Sequence, residues 1–160
     1  VFDYFGKDEA LVKYASDLVD EADALIMGRV TYEGFLAYWP EHGDDEFGTR
    51  MNSLPKYVAS RTLSEPLQWN ATLLKDIAQE VKALKQQDGK AILQYGIGEL
   101  THTLLDAGLV DEVRLLVYPV VISEGERIFE HFKRVPMKLL SSKSFPSGVL
   151  LTTYQPENVK

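Results

Sequence analysis

Ala24-Leu25-Ile26-Met27-Gly28-Arg29-Val30-Thr31-Tyr32 is the stretch that decides the fold. Its first four residues form an all-apolar run that a glycine ends, the pattern of a short strand buried on both faces. Thr31 to Ala37 follow at once as a short helix. Parallel strands need a crossover between them, usually helical, so a buried strand that passes directly into a helix is the unit of a parallel sheet.

The same texture extends outward. Upstream, Asp8 precedes an apolar stripe at Leu11, Tyr14, Leu18 and Ala22, the spacing of an amphipathic helix with an acidic start. Downstream, Tyr38 to Pro55 holds Pro40, Gly43, Gly48 and the acidic run Asp44-Asp45-Glu46 and reads as mostly loop. Lys56 to Ser60 reads as a strand, Arg61 to Pro66 as a turn away from it, and Thr72 to Leu74 as a third strand. Asp76 with Gln79 resembles a capping box, and Ile77, Val81 and Leu84 carry the helix that follows toward Asp88-Gly89. Ala91 to Leu93 is the next buried strand, Gly96 and Gly98 break it, and Leu100, Leu104 and Leu105 define a helix that Gly108 closes. From Asp111 the texture changes: Val113 to Val121 is β-rich, and Lys138 to Ser144 with Val149 to Tyr154 flank Pro146-Ser147-Gly148 as a hairpin. The expected fold is α/β, with a mostly parallel central sheet flanked by helices and an antiparallel C-terminal edge hairpin.

At 160 residues with 45% hydrophobic content, the chain is long enough to bury one core, so residues 1–160 read as a single domain. A net charge of −7 repels nucleic-acid backbones and anionic lipid surfaces at long range. It still admits a small anionic ligand, which a few arginines and backbone N–H groups hold locally. The absence of cysteine excludes disulfides, thiolate nucleophiles and cysteine metal sites, and fits a reducing cytoplasm. No apolar run reaches the roughly 20 residues of a membrane span, and the N-terminus lacks the form of a signal peptide. Because the chain begins at Val1, an upstream piece is expected to be missing.

Three strand ends carry groups suited to phosphate. In the first, Gly28 lets the backbone come close at a helix start, where free N–H groups favour an anion, and Arg29 and Thr31 add charge and a hydroxyl. A turn glycine, a solvated arginine and a helix cap are the plainer alternative. The second is Ser60-Arg61-Thr62, a hydroxyl and a guanidinium at the carboxyl edge where open α/β sheets bind ligands, although taken by itself it reads more simply as a strand terminus with a solvated arginine. The third is Tyr95-Gly96-Ile97-Gly98-Glu99-Leu100, whose glycines permit a tight turn and close approach of a pyrophosphate to a helix N-terminus, the alternative being a pair of glycines that only turns the chain.

Taken in order, these pieces resemble the dihydrofolate-reductase-like superfamily, and in particular stand-alone relatives of the reductase domain of bacterial riboflavin biosynthesis. Leu25 to Tyr32 is similar to the family's strand-to-helix motif, Ser60-Arg61-Thr62-Leu63 to its Ser-Arg segment, and Gly96-Ile97-Gly98-Glu99-Leu100 to its glycine turn. Leu104 to Glu112, Tyr118-Pro119-Val120-Val121 and Gly125-Glu126-Arg127-Ile128-Phe129 continue the likeness. The resemblance implies an NADPH-dependent oxidoreductase that passes hydride to a pterin or a ribosylaminopyrimidine. It also implies cofactor contacts at Gly28, Arg29, Thr31, Ser60, Arg61, Gly96, Ile97, Gly98 and Glu99, with Ser60-Arg61 on the ribose 2′-phosphate. Such proteins usually begin with a strand bearing a Ser-x-Asp-Gly-like motif, for which this sequence supplies no residues, so no catalytic residue is nominated. Ile97 stands where relatives often carry glycine or serine, which removes one hydroxyl contact. A homodimer through the β-rich tail is the expected assembly. The rival readings are a non-catalytic nucleotide-binding module of the same fold and an interaction domain with no ligand.

His42, His102 and His131 lack ligand spacing and read as surface residues rather than metal or acid–base groups. Glu124 and Glu126, either side of Gly125, read as solvated turn residues, with a helper role at the nicotinamide end as the alternative. Tyr38 and Trp39 read as packing the long loop onto the core.

Overall fold

The apolar stripe after Asp8 forms α1 (Glu9–Asp20) in the computed structural model, which describes residues 7–130 and 132–157. The Asp8 carboxylate accepts from the Ala10 and Leu11 N–H groups at 3.1 and 3.2 Å, and its other oxygen accepts from the Ser147 N–H at 2.8 Å. One side chain therefore caps the helix and ties it to the C-terminal turn. Ala22, read as the end of the helical stripe, instead opens β1 (Ala22–Gly28), because α1 stops at Asp20.

Four strands form a parallel sheet in the order β3-β2-β1-β4, with β2 Lys56–Ala59, β3 Ala71–Leu74 and β4 Ala91–Gln94. The central position of β1 explains its continuous apolar run. Leu25 and Met27 pack with Val19, Tyr32, Met51 and Val58, whereas Ile26 packs with Leu74, Val81, Leu100 and Leu104. The two-residue period of a strand thus divides one short segment between two cores. Beneath the first lie α1, α2 (Arg29–Tyr38) and α3 (Glu46–Ser53); beneath the second lie α4 (Ile77–Leu84) and α5 (Glu99–Asp106).

The helix α3 and a 3₁₀ turn at Trp39–Glu41 correct the reading of Tyr38 to Pro55 as mostly loop. Asp45 caps α3 by accepting from the Gly48 N–H at 2.6 Å, and Met51 is buried against the sheet. Gly48 marks a close approach, since a Cβ there would collide with the His42 carbonyl oxygen. The β-rich run from Val113 is also shorter than expected: β5 covers Val113–Val117, and Pro119, which has no N–H to give a ladder, follows just past its end.

β5 joins β6 (Met137–Ser144) and β7 (Leu150–Pro156) in an antiparallel sheet of order β5-β7-β6. The expected hairpin is present, but these strands form a sheet of their own instead of continuing the parallel one. A cleft of about 680 Å³, lined by residues of β4 and β5, lies beside the two sheet edges. Among the described residues no helix is long and apolar enough to cross a membrane.

Lys56 at the start of β2 is fully buried. Its Nζ donates to the Asn52 carbonyl at 2.9 Å and lies 4.0 Å from the centre of the Trp69 ring, while the Trp69 indole N–H donates to Asn52 Oδ1 at 2.7 Å. Burial lowers the ammonium pKa from an ordinary 10.5 to about 8. The folded state therefore releases this proton before the unfolded state does, so stability is expected to rise from about pH 8 toward 10.5. Between pH 8 and 9.5 the gain is on the order of 1–2 kcal/mol by urea unfolding. Lys56→Met should flatten that slope; an equal slope in both proteins would assign it to other groups.

Candidate functional site

Parallel pairing brings the carboxyl ends of the strands to one rim. Gly28 pairs with Ala59, Ala59 with Leu74, and Ile26 with Gln94. Ser60-Arg61, Lys75 and the Gly96 turn must therefore leave the sheet on the same side as Gly28. There they line one cleft of about 1130 Å³. Gly28, Arg29 and Thr31 stand at the end of β1, Ser60 and Arg61 at the end of β2, and Gly96, Ile97, Gly98 and Glu99 after β4. All nine expected site residues are thus gathered around a single opening.

The helices of the protein start in two different ways. α1, α3 and α4 begin with Asp8, Asp45 and Asp76, each of which caps its own first turn. α2 and α5 begin with Gly28 and Gly98, which have no side chain to offer, so their first N–H groups remain open to an external acceptor. Neither glycine is required by the fold. Gly28 has φ −79° and Gly98 φ −173°, both accessible to any residue, and a Cβ at either would meet no protein atom within 4 Å. A Cβ at either position would occupy open space beside residues that line the cleft.

The glycine turn is braced from beneath. Gln94 donates to the Gly96 carbonyl at 3.1 Å and to Thr101 Oγ1 at 2.7 Å, and Thr101 Oγ1 accepts the Gly98 N–H at 3.1 Å. That N–H is therefore committed internally, and the first turn of α5 supplies the remaining donors. Gln94 and Thr101 were not singled out in the sequence, although a hydroxyl three residues into a helix after Gly98 is half of a capping box. Tyr95 also lines the cleft and packs edge-on against Phe35 with ring centres 5.8 Å apart. Burial pushes its phenol up to about 12, so it keeps its proton at neutral pH and can donate a hydrogen bond.

Three cations and three carboxylates face the opening: Arg29, Arg61 and Lys75 against Asp76, Glu99 and Glu126. The cleft is balanced where the chain as a whole carries −7. Arg29 pairs with Glu33 at 2.9 Å one turn along α2, and Arg61 pairs with Glu99 across the mouth. Glu99 is thus the counter-ion of Arg61 in this structure. Ser60 Oγ accepts from the Thr62 and Leu63 N–H groups at 3.1 and 3.0 Å and lies 3.5 Å from Thr62 Oγ1, where either hydroxyl can donate, so its hydrogen is the group it can turn from Thr62 to a ligand. Lys75, Asp76 and Glu126 join the opening from segments that the sequence reading had not assigned to it or had read as solvated.

His42 and His102 lie elsewhere. His42 Nδ1 sits 2.6 Å from the Tyr38 carbonyl with its ring stacked on Tyr38, and His102 on α5 packs edge-on against Phe132. His131 falls outside the described residues.

Comparison with known proteins places this geometry in context. Residues 6–151 match the family model described as the RibD C-terminal domain. The uncharacterized protein YyaP of Bacillus subtilis (strain 168) is 35% identical over 145 residues, covering 87% of this chain and 77% of its own. Among solved structures, a protein of Shewanella sp. PV-4 described as a riboflavin biosynthesis protein superposes with TM-score 0.70 at 21% identity, over 89% of this chain and 78% of that one. A pyrimidine reductase-like protein of Corynebacterium diphtheriae gives 0.61 at 15%, over 95% and 83% of the two chains. RibD of Acinetobacter baumannii gives 0.63 at 15%, over 91% of this chain and 51% of that one. These structural likenesses establish a shared fold.

Proposed function

This chain belongs to the RibD C-terminal domain family, and from that premise we propose that it is an NADPH-dependent reductase of a small heterocyclic substrate, of the pterin or ribosylaminopyrimidine kind. The observation that carries the reading is the convergence of three phosphate-suited strand ends on one cleft whose two glycine positions lie open. NADPH supplies the hydride when bound; the protein's part is to hold, orient and shield. The uncapped starts of α2 and α5 take the pyrophosphate, and Ser60 and Arg61 take the ribose 2′-phosphate. The test is NADPH oxidation, followed at the nicotinamide absorbance, with a pterin or ribosylaminopyrimidine substrate. Binding of NADPH without turnover of either substrate class would leave the non-catalytic module as the function.

NADPH is expected to raise the melting temperature more than NADH at equal concentration, because the 2′-phosphate adds charge-assisted contacts that NADH lacks. Arg61→Ala should narrow that preference by about 1–3 kcal/mol, measured as the ratio of the two Kd values. An unchanged ratio would remove Arg61 from the site.

A second copy of the chain belongs, on the same reading, against the outer face of the antiparallel sheet. Val117 pairs with Leu150 there and Leu139 with Tyr154, and Val117, Leu139 and Leu150 are exposed. Sedimentation equilibrium should report a dimer that Leu150→Glu dissociates; a monomeric parent protein rules the contact out.

A further inference from the structure

The cleft holds a cation that the sequence reading left aside. Lys75 follows β3 directly, and because Ala59 pairs with Leu74, the parallel register sets Lys75 beside Ser60 on the rim. The two arginines of the cleft are occupied, Arg29 by Glu33 and Arg61 by Glu99. Among the described residues, the Lys75 ammonium is engaged by no carboxylate. The acid next to it is engaged by the backbone instead, for Asp76 Oδ1 accepts the Gln79 N–H at 3.0 Å. The backbone beneath Lys75 is held in place, since Glu80 Oε1 accepts from the Lys75 and Asp76 N–H groups at 3.1 and 3.0 Å. An exposed lysine on a fixed backbone, beside a serine hydroxyl that can donate, suits a phosphate dianion and gains little from a neutral hydroxyl in the same place.

We infer that Lys75 is a specificity-determining residue: with Ser60 it reads the 2′-phosphate of the adenosine end, and it supplies the charge that an incoming anion meets without first breaking an ion pair. Arg61 reaches the same phosphate only by leaving Glu99. The inference rests on the proposed NADPH reading and adds a residue to it.

The experiment is isothermal titration with 2′,5′-ADP, which carries the 2′-phosphate, and with 5′-AMP, which does not. It compares the parent protein with Lys75→Met and Lys75→Arg. The parent should prefer 2′,5′-ADP; Lys75→Met should lose roughly tenfold in affinity for it, with 5′-AMP unchanged, and Lys75→Arg should restore most of the loss. Unchanged 5′-AMP binding also reports that the variant is folded. If the parent discriminates between the fragments and Lys75→Met discriminates equally well, Lys75 is not the reader and the NADPH assignment stands. If the parent binds both fragments alike, the 2′-phosphate site is absent, and the NADPH reading falls together with the inference.

Discussion

Gly98→Val is expected to weaken NADPH binding at least roughly 100-fold, about 3 kcal/mol, while the melting temperature stays within about 2 °C of the parent. Most glycine replacements confound these two effects, and Gly98 separates them. Its backbone, at φ −173° and ψ −155°, is extended and open to any residue, and an added Cβ meets no protein atom within 4 Å. The added methyl groups would stand in open space at the cleft lining beside the first turn of α5, where on the proposed reading the pyrophosphate lies. Gly28→Val, at the start of α2, should act in the same way. Gly96 is a poorer test, because its φ of +78° makes any side chain costly to the fold itself. Titration of NADPH alongside thermal unfolding checks the pair. Full affinity in both valine variants would mean that the cradle is not where the dinucleotide sits.

The largest effect on stability is expected from Leu25→Ala, about 3–4 kcal/mol and a melting temperature lower by about 10 °C. Leu25 is 0% exposed, lies in the central strand between Lys56 of β2 and Leu93 of β4, and packs within the cluster that joins α1, α2 and α3 to the sheet. Its neighbours come from separate segments held by their own hydrogen bonds, so they close the resulting cavity only in part. Val30, five residues on, is 74% exposed on α2, and Val30→Ala should change stability by no more than about 0.5 kcal/mol. Urea unfolding of the two variants decides the matter: a loss below about 1 kcal/mol at Leu25 would mean that the core described around β1 does not carry the fold.

The candidate site was legible to the extent that its chemistry is local. Gly28-Arg29, Ser60-Arg61 and Gly96-Gly98 each announce themselves within a few residues, since a buried run followed by glycine and a helix pattern is a short-range signal. Lys75 sent no such signal, because a lysine after a four-residue strand reads like any solvated charge until the register with β2 sets it beside Ser60. Glu126 is similar: a turn glutamate in the sequence, a cleft residue once the chain has folded back. The helix α3 escaped notice for another reason. Gly43, Gly48 and three consecutive acids are loop signals by propensity, and the burial of Met51 together with the Asp45 cap outweighs them.

By itself, the sequence determined the order of the strands and of the helices other than α3, the parallel character of the first sheet, the hairpin at the end and the three strand ends with groups suited to phosphate. Each follows from the period of apolar residues and from turn residues within windows of about ten positions, where local sterics and burial act. Only the tertiary structure decided that those three ends share one opening, that Glu99 neutralises Arg61 across 38 positions of chain, and that the antiparallel strands form a separate sheet. Register and the pairing of distant charges come from many weak non-local terms, each smaller than the chain entropy it must overcome, so no single stretch of residues encodes them.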